Sequence, residues 1–184
     1  HLLLYMQATG LLAHIKGKQV LHFAPEKRLS KRIIEAEPAH YVRCDLFPTS
    51  PDVQRADLLN MEFKSAAFDV LMANHVLEHV ADDLKALSEI ARVVRPGGWV
   101  ILQTPFARKL HHTWEDPGIC DDASRLQAYG QEDHVRLYGR DIFDRFTSSG
   151  LTPDIRTHEE TLPNIAAAMV GVNPDEPLFL LHRT

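Results

Sequence analysis

The densest chemistry in this chain is the string Asn74-His75-Val76-Leu77-Glu78-His79, placed directly after the apolar run Phe68 to Ala73. Imidazole is the side chain whose ordinary pKa lies nearest neutrality, so it suits proton removal from a hydroxyl. His75, His79 and, farther along, His134 are the candidates for that task. A structural hydrogen bond at the start of the next helix is the plainer role for His79. Two acids, Asp45 and Asp57, each end a short candidate strand. Acids in such places either cap turns or reach a ligand at the edge of a sheet.

These residues need elements to hold them. Residues 2–13 read as a helix, with Leu2, Leu3, Met6 and Leu12 in its apolar pattern and Gly10 as its weak point. Gln19 to Phe23 reads as a buried strand broken by Ala24-Pro25, and a helix then runs to about Glu37, ended by Pro38. His40 to Cys44 alternates as a strand and ends at Asp45, and residues 52–57 form a third strand ending in Asp57. FDVLMA is a fourth. A helix starting at Asp82-Asp83 carries Leu84, Leu87, Ile90 and Val94 at three- and four-residue steps, then stops at Arg95-Pro96-Gly97-Gly98 before the strand Trp99 to Leu102.

Residues 104–138 lack periodicity and read as a long, functional loop. Asp141 suits the N-cap of a helix to Ser149 with Gly150 just beyond it. Residues 151–157 and 178–183 complete the strands, and the connection 160–177 holds at most a helical turn near Ile165 to Val170. Strands alternating with helices imply an α/β fold, a mostly parallel sheet covered on both faces.

At 184 residues with 45% apolar content, the chain fits one domain, residues 1–184, with a real core. No apolar run approaches the roughly 20 residues of a membrane-spanning helix, so no membrane partner is expected. A net charge of −5 disfavours nucleic acid, and Lys27-Arg28 with Lys31-Arg32 reads as the solvated face of a helix. Cys44 and Cys120 are far apart and form no CxxC, which fits a reducing, cytoplasmic setting.

The unit from Phe68 to Leu102, an FD-apolar strand, LEH, a helix, RPGG and a strand, resembles class I S-adenosylmethionine-dependent methyltransferases. The strings LHFAPE (21–26) and GQEDHVRLYGRD (130–141) are similar to a branch in which APE replaces the usual glycine-rich turn. The resemblance implies a Rossmann-like, seven-stranded sheet of order 3-2-1-4-5-7-6 with strand 7 antiparallel. It implies S-adenosylmethionine as cofactor, Asp45 on the ribose diol and Asp57, followed by Leu58, beside the adenine amine. His22, Phe23, Ala24, Pro25 and Glu26 form the first turn, where Glu26 meets either the methionine ammonium or only its own helix dipole. Asn74 and His75 fall near the transferred methyl.

Members of that branch often carry a small cysteine-bearing segment before an RHRLL-like helix. HLLLYM is expected to be the remnant of that helix, with a module ahead of it. His75-x-x-Glu78-His79 is also similar to the ExxEH cation motif of some O-methyltransferases, with His134 as a fourth donor. LEHV is common without metal, however, and none is expected. Residues 104–138 are expected to face the acceptor, a small molecule or glycan methylated on a hydroxyl. Arg136 is expected to pair with a substrate anion, or else with Asp133 or Asp141. The competing reading is a methyltransferase-like binding subunit without turnover.

Overall fold

The computed structural model describes residues 2–173 and 176–184. His1, at the start of the expected N-terminal helix, and residues 174–175 of the 160–177 connection lie outside it. Seven strands form one sheet in the order β3-β2-β1-β4-β5-β7-β6. They are β1 (Gln19–Phe23), β2 (His40–Asp45), β3 (Gln54–Arg55), β4 (Phe68–Ala73), β5 (Val94–Ile101), β6 (Leu151–Arg156) and β7 (Leu178–Arg183). β7 runs antiparallel to β5 and β6, and the other pairings are parallel.

The helices are α1 (Leu2–Ala8), α2 (Leu11–His14), α3 (Lys27–Glu35), α4 (Asp83–Val93), α5 (Asp122–Tyr129), α6 (Ile142–Ser148) and α7 (His158–Thr161). Period-two alternation on β4 splits the core into two layers. Leu71 and Ala73 pack with Leu87 and Ile90 of α4 and Phe146 of α6, while Val70 and Met72 pack with Tyr5, Met6, Leu11 and Ile33 of the first three helices. Helices therefore cover both faces, and the C-terminal ends of β1, β2 and β4 share one edge.

Several expectations are corrected. The N-terminal helix is two helices, because Gly10 turns left-handed at φ 75 between them. β3 holds only Gln54 and Arg55, and Asp57 lies beyond it in a turn closed by an Asn60 N–H bond to its carbonyl. Leu84 is 46% exposed. α4 instead buries Asp83, Ala86, Leu87, Ile90 and Val93, because Asp83 turns inward to Arg145 and Tyr138.

RPGG does not separate α4 from the next strand. It bulges within β5, whose pairing with β4 jumps from Phe68–Val94 to Val70–Trp99. Arg95 ties the bulge to Asp69 at 2.8 Å. The expected loop 104–138 contains α5, capped by the Asp121 carboxylate and ended by Gly130 at φ 90. Asp141 stands at the N-cap of α6 without capping it, because its carboxylate accepts from Thr113 N and Oγ1, both at 2.7 Å.

Candidate active site

A cleft of about 690 Å³ opens where β1, β2 and β4 end. Phe23 and Ala24 enter it after β1, Asp45 to Phe47 after β2, Ala56 to Leu59 beyond β3, and His75, Val76 and His79 after β4. Asp133 closes the rim. Phe47 is 74% exposed there, an aromatic ring held at the cleft's mouth. A second cleft of about 640 Å³ carries Lys27, Lys31 and Arg43 and shares Ala24 and Asp45 with the first. The first is the better candidate, because both strand-end acids and two of the three histidines converge on it.

Each acid spends one oxygen on a local turn. Asp45 Oδ1 accepts from Phe47 N and Asp57 Oδ1 from Leu59 N, both at 2.8 Å. Among the described residues neither Oδ2 has a hydrogen-bond partner. Turn-capping and ligand-binding are therefore compatible at both positions. Leu58 is buried and lines the cleft beside Asp57, and Met61 is buried in the core with it.

The turn after β1 bends sharply without glycine. Ala24 adopts φ 48, a left-handed conformation that costs a non-glycine residue about 1–2 kcal/mol. The bend brings Glu26 to the N-cap of α3, yet its side chain makes no capping bond. Its Oε2 lies 2.9 Å from His22 Nε2, and its Oε1 accepts from Asn74 Nδ2 at 3.1 Å. Burial pushes the Glu26 carboxyl up, but the bonds from His22 and Asn74 prevail and hold it below its ordinary value. His22 is fully buried and does not line the cleft. Pro25 borders the second cleft instead.

His75 is also left-handed, at φ 52, because its N–H still bonds the carbonyl of Gln103 after β4 has ended. Such strain in a cleft is a pointer to function. Its Nδ1 lies 3.3 Å from Oε1 of the buried Glu78, whose Oε2 accepts from Thr104 at 2.9 Å. The Glu78 bond raises the His75 pKa, against the opposing effect of burial. An exposed, cleft-facing imidazole oriented by a buried carboxylate is a usable base. Thr104 carried no sequence signal beyond its place after β5.

The other two histidines differ in access. His79 reaches the cleft, with Nδ1 3.3 Å from the carbonyl of Asp133. His134 is buried behind it, edge to face at 4.8 Å, with Nδ1 3.2 Å from the carbonyl of Tyr129. Glu78, His79 and His134 can bring donor atoms within 4.8 Å of one another. That is looser than the roughly 3–3.5 Å between ligand atoms around a tight shell. Arg136 is a structural residue that sequence reasoning misplaced. It pairs with Glu115 at 2.8 Å, not with Asp133 or Asp141, and its guanidinium donates to the carbonyls of Leu77, Val80 and Ala81.

The family model described as "Methyltransferase domain" matches residues 10–102, from α1–α2 through the end of β5. The chain belongs to the methyltransferase-domain family. S-adenosylmethionine is the cofactor of such methyltransferases. The chain is 26% identical over 107 residues to the demethylmenaquinone methyltransferase of Clavibacter sepedonicus, covering 51% of this chain and 44% of that protein. It is 36% identical over 58 residues to the ubiquinone biosynthesis O-methyltransferase of Paracidovorax citrulli, covering 30% and 24%. It spans less than half the length of the curated relatives it matches. The crystal structure of an S-adenosylmethionine-dependent methyltransferase from Mesorhizobium loti superposes with a TM-score of 0.65 over 96% of both chains, at 16% identity, a likeness of fold. No helix among the described residues is long and apolar enough to cross a membrane.

Proposed function

We propose that this methyltransferase domain binds S-adenosylmethionine across the β3–β2–β1–β4 edge and transfers its methyl group to a hydroxyl of a small molecule or glycan. The observation that carries the reading is one cleft holding both strand-end acids and a carboxylate-oriented His75. Asp45 has a free oxygen for a ribose hydroxyl, Asp57 one for the adenine amine, and Leu58 an apolar surface beside it. Asn74 supports the fit. Its Oδ1 is a buried acceptor without a partner, as a ligand with N–H donors would require.

When bound, the cofactor supplies an electrophilic methyl on a sulfonium. The protein's own work is positioning and proton handling. Residues 104–138 wall the acceptor side. His75 faces the cleft and accepts the hydroxyl proton at a ring nitrogen while Glu78 stabilises the resulting imidazolium. His79 is the alternative base, reaching the same cleft; His134 acts behind it by fixing its ring. A cytoplasmic setting belongs to the same proposal and is supported by two free cysteines, one of them buried.

Calorimetric titration tests the reading. S-adenosylmethionine and S-adenosylhomocysteine should bind the wild type with about micromolar affinity, and Asp45→Ala should weaken both by about tenfold or more. Absence of binding to the wild type would sink the proposal and favour a partner-binding domain without turnover.

A further inference from the structure

The family's usual first turn seats the amino-acid end of the cofactor on backbone N–H groups. Here Pro25 has no N–H to give, and no glycine lets the backbone approach closely. The structure carries a different set of groups at that place. His22, buried within β1, lies 2.7 Å from the Tyr41 hydroxyl through Nδ1 and 2.9 Å from Glu26 through Nε2. Tyr41 and Ser30 share a further bond of 3.1 Å. Burial pushes the Tyr41 phenol up to about 12, so it stays protonated at neutral pH. To face a carboxylate, His22 must carry a proton on Nε2, while Nδ1 meets the Tyr41 oxygen, whose own proton goes to Ser30 Oγ. The chain Ser30–Tyr41–His22 thus ends in a donor fixed on Glu26.

Asn74 completes the arrangement from the next strand, since β1 and β4 are paired through Phe23 and Ala73. Its Nδ2 donates to Glu26 Oε1, and its Oδ1 is the buried side-chain atom without a partner among the described residues. Flipping the amide gives no relief, because it would set Oδ1 against the Glu26 carboxylate, acceptor to acceptor. Glu26 meanwhile keeps its side chain 46% exposed. A negative carboxylate and an unsatisfied carbonyl side by side ask for one kind of ligand group, a cation with several N–H donors.

We propose that Glu26 and the Asn74 side-chain carbonyl form a seat for the primary ammonium of the cofactor's amino-acid end, with His22 and Tyr41 as positioning residues. The seat replaces the backbone donors of a glycine turn by side-chain acceptors. It rests on the cofactor reading above and deepens it. Across the sheet edge the order becomes adenine acid after β3, ribose acid after β2, ammonium acid after β1 and base after β4. At about 4.8 Å between strands, that is roughly 14 Å of ligand laid along the edge.

The test compares S-adenosylhomocysteine with 5′-methylthioadenosine, which has the same adenosine and thioether but no amino-acid end. Both are titrated calorimetrically into the wild type, Glu26→Gln, Asn74→Leu and Tyr41→Phe. The wild type should prefer S-adenosylhomocysteine by about tenfold or more, as expected for a charge-assisted contact. Glu26→Gln and Asn74→Leu should lose most of that preference while binding of 5′-methylthioadenosine stays within about twofold, which also shows that each variant is folded. Tyr41→Phe, remote from the ligand, should lose part of it in the same direction. A preference unchanged in Glu26→Gln, or equal weakening of both ligands, overturns the seat and leaves the cofactor reading standing. A wild type that binds neither ligand overturns both.

Discussion

Arg136→Met should destabilise the domain far more than an average arginine deletion and should loosen the turn that carries Glu78 and His79. Arg136 is 3% exposed and lies under the 3-10 turn Leu77–His79, which carries Glu78 and His79. Its guanidinium donates to the carbonyls of Leu77 and Ala81 at 3.0 Å each, and to that of Val80. Leu77 O keeps two other donors, the Tyr138 hydroxyl and the N–H of Val80. The carbonyls of Val80 and Ala81 lose this donor, but Val80 is half-buried and Ala81 exposed, so water reaches them in part. Each loss therefore falls at the low end of the about 1–3 kcal/mol of an unsatisfied group.

Glu115 also loses a partner, but it retains Arg145 at 2.9 Å and is partly solvated, so it adds little. The sum is roughly 2–3 kcal/mol, which at about 2–4 °C per kcal/mol lowers Tm by roughly 4–12 °C. Methionine fills most of the volume, so packing contributes little of this. Arg136→Lys should recover less than half, because an ammonium cannot span the same carbonyls. Arg156→Met is the control, since the Arg156–Asp154 pair at 2.6 Å is surface-exposed and worth under about 1 kcal/mol. Thermal unfolding followed by circular dichroism reads all three. A Tm within about 3 °C of wild type for Arg136→Met, or equal drops for Arg136→Met and Arg156→Met, would refute the reasoning.

The remaining predictions concern the site and the sheet. His75 must be neutral to act as a base and Glu78 raises its pKa, so kcat/KM should climb with pH through a value above 6.5, and Glu78→Gln should move that limb to lower pH. The same raised pKa means the His75–Glu78 contact stabilises the fold fully below about pH 6.5 and fades as pH rises through the folded value. The difference in unfolding free energy between wild type and His75→Gln should therefore shrink from pH 6 to pH 9. Gly98→Ala should cost about 1–3 kcal/mol in urea unfolding. Its added Cβ would meet Val94 Cγ1 at 2.5 Å, Arg95 O at 2.8 Å and Asp69 O at 3.0 Å. Purified protein should carry no stoichiometric metal and be insensitive to EDTA, because Glu78 already holds His75 and Thr104; one equivalent of zinc or manganese would contradict this.

The alternation of strands and helices was legible from local pattern, whereas the sheet order came only with the resemblance carried by residues 68–102. Asp45 and Asp57 were legible as acids that close candidate strands. The β5 bulge was not, since RPGG reads equally as a helix stop or as an excursion inside a strand. Only the pairing of Phe68 with Val94 decides between them. α5 escaped because it buries only Tyr129 and so has little apolar stripe to detect. Arg136 escaped for a different reason. Its partners are backbone carbonyls nearly 60 residues away in sequence, which no side-chain pattern announces.

The first turn shows why a missing motif is weaker evidence than a missing function. Glycine is absent from this turn, and Ala24 takes the left-handed bend itself, at φ 48. What the motif could not convey is that the bend still delivers a group to the sheet edge. Glu26 leaves its N-cap bond unmade, and instead holds Asn74 and His22. A helix that forgoes a cap gives up about 1 kcal/mol. Together with the strained Ala24 and the orphaned Asn74 oxygen, that puts three local penalties at the adjacent ends of β1 and β4. Penalties concentrated at paired strand ends beside a cleft are what the proposed ammonium seat would cost its fold.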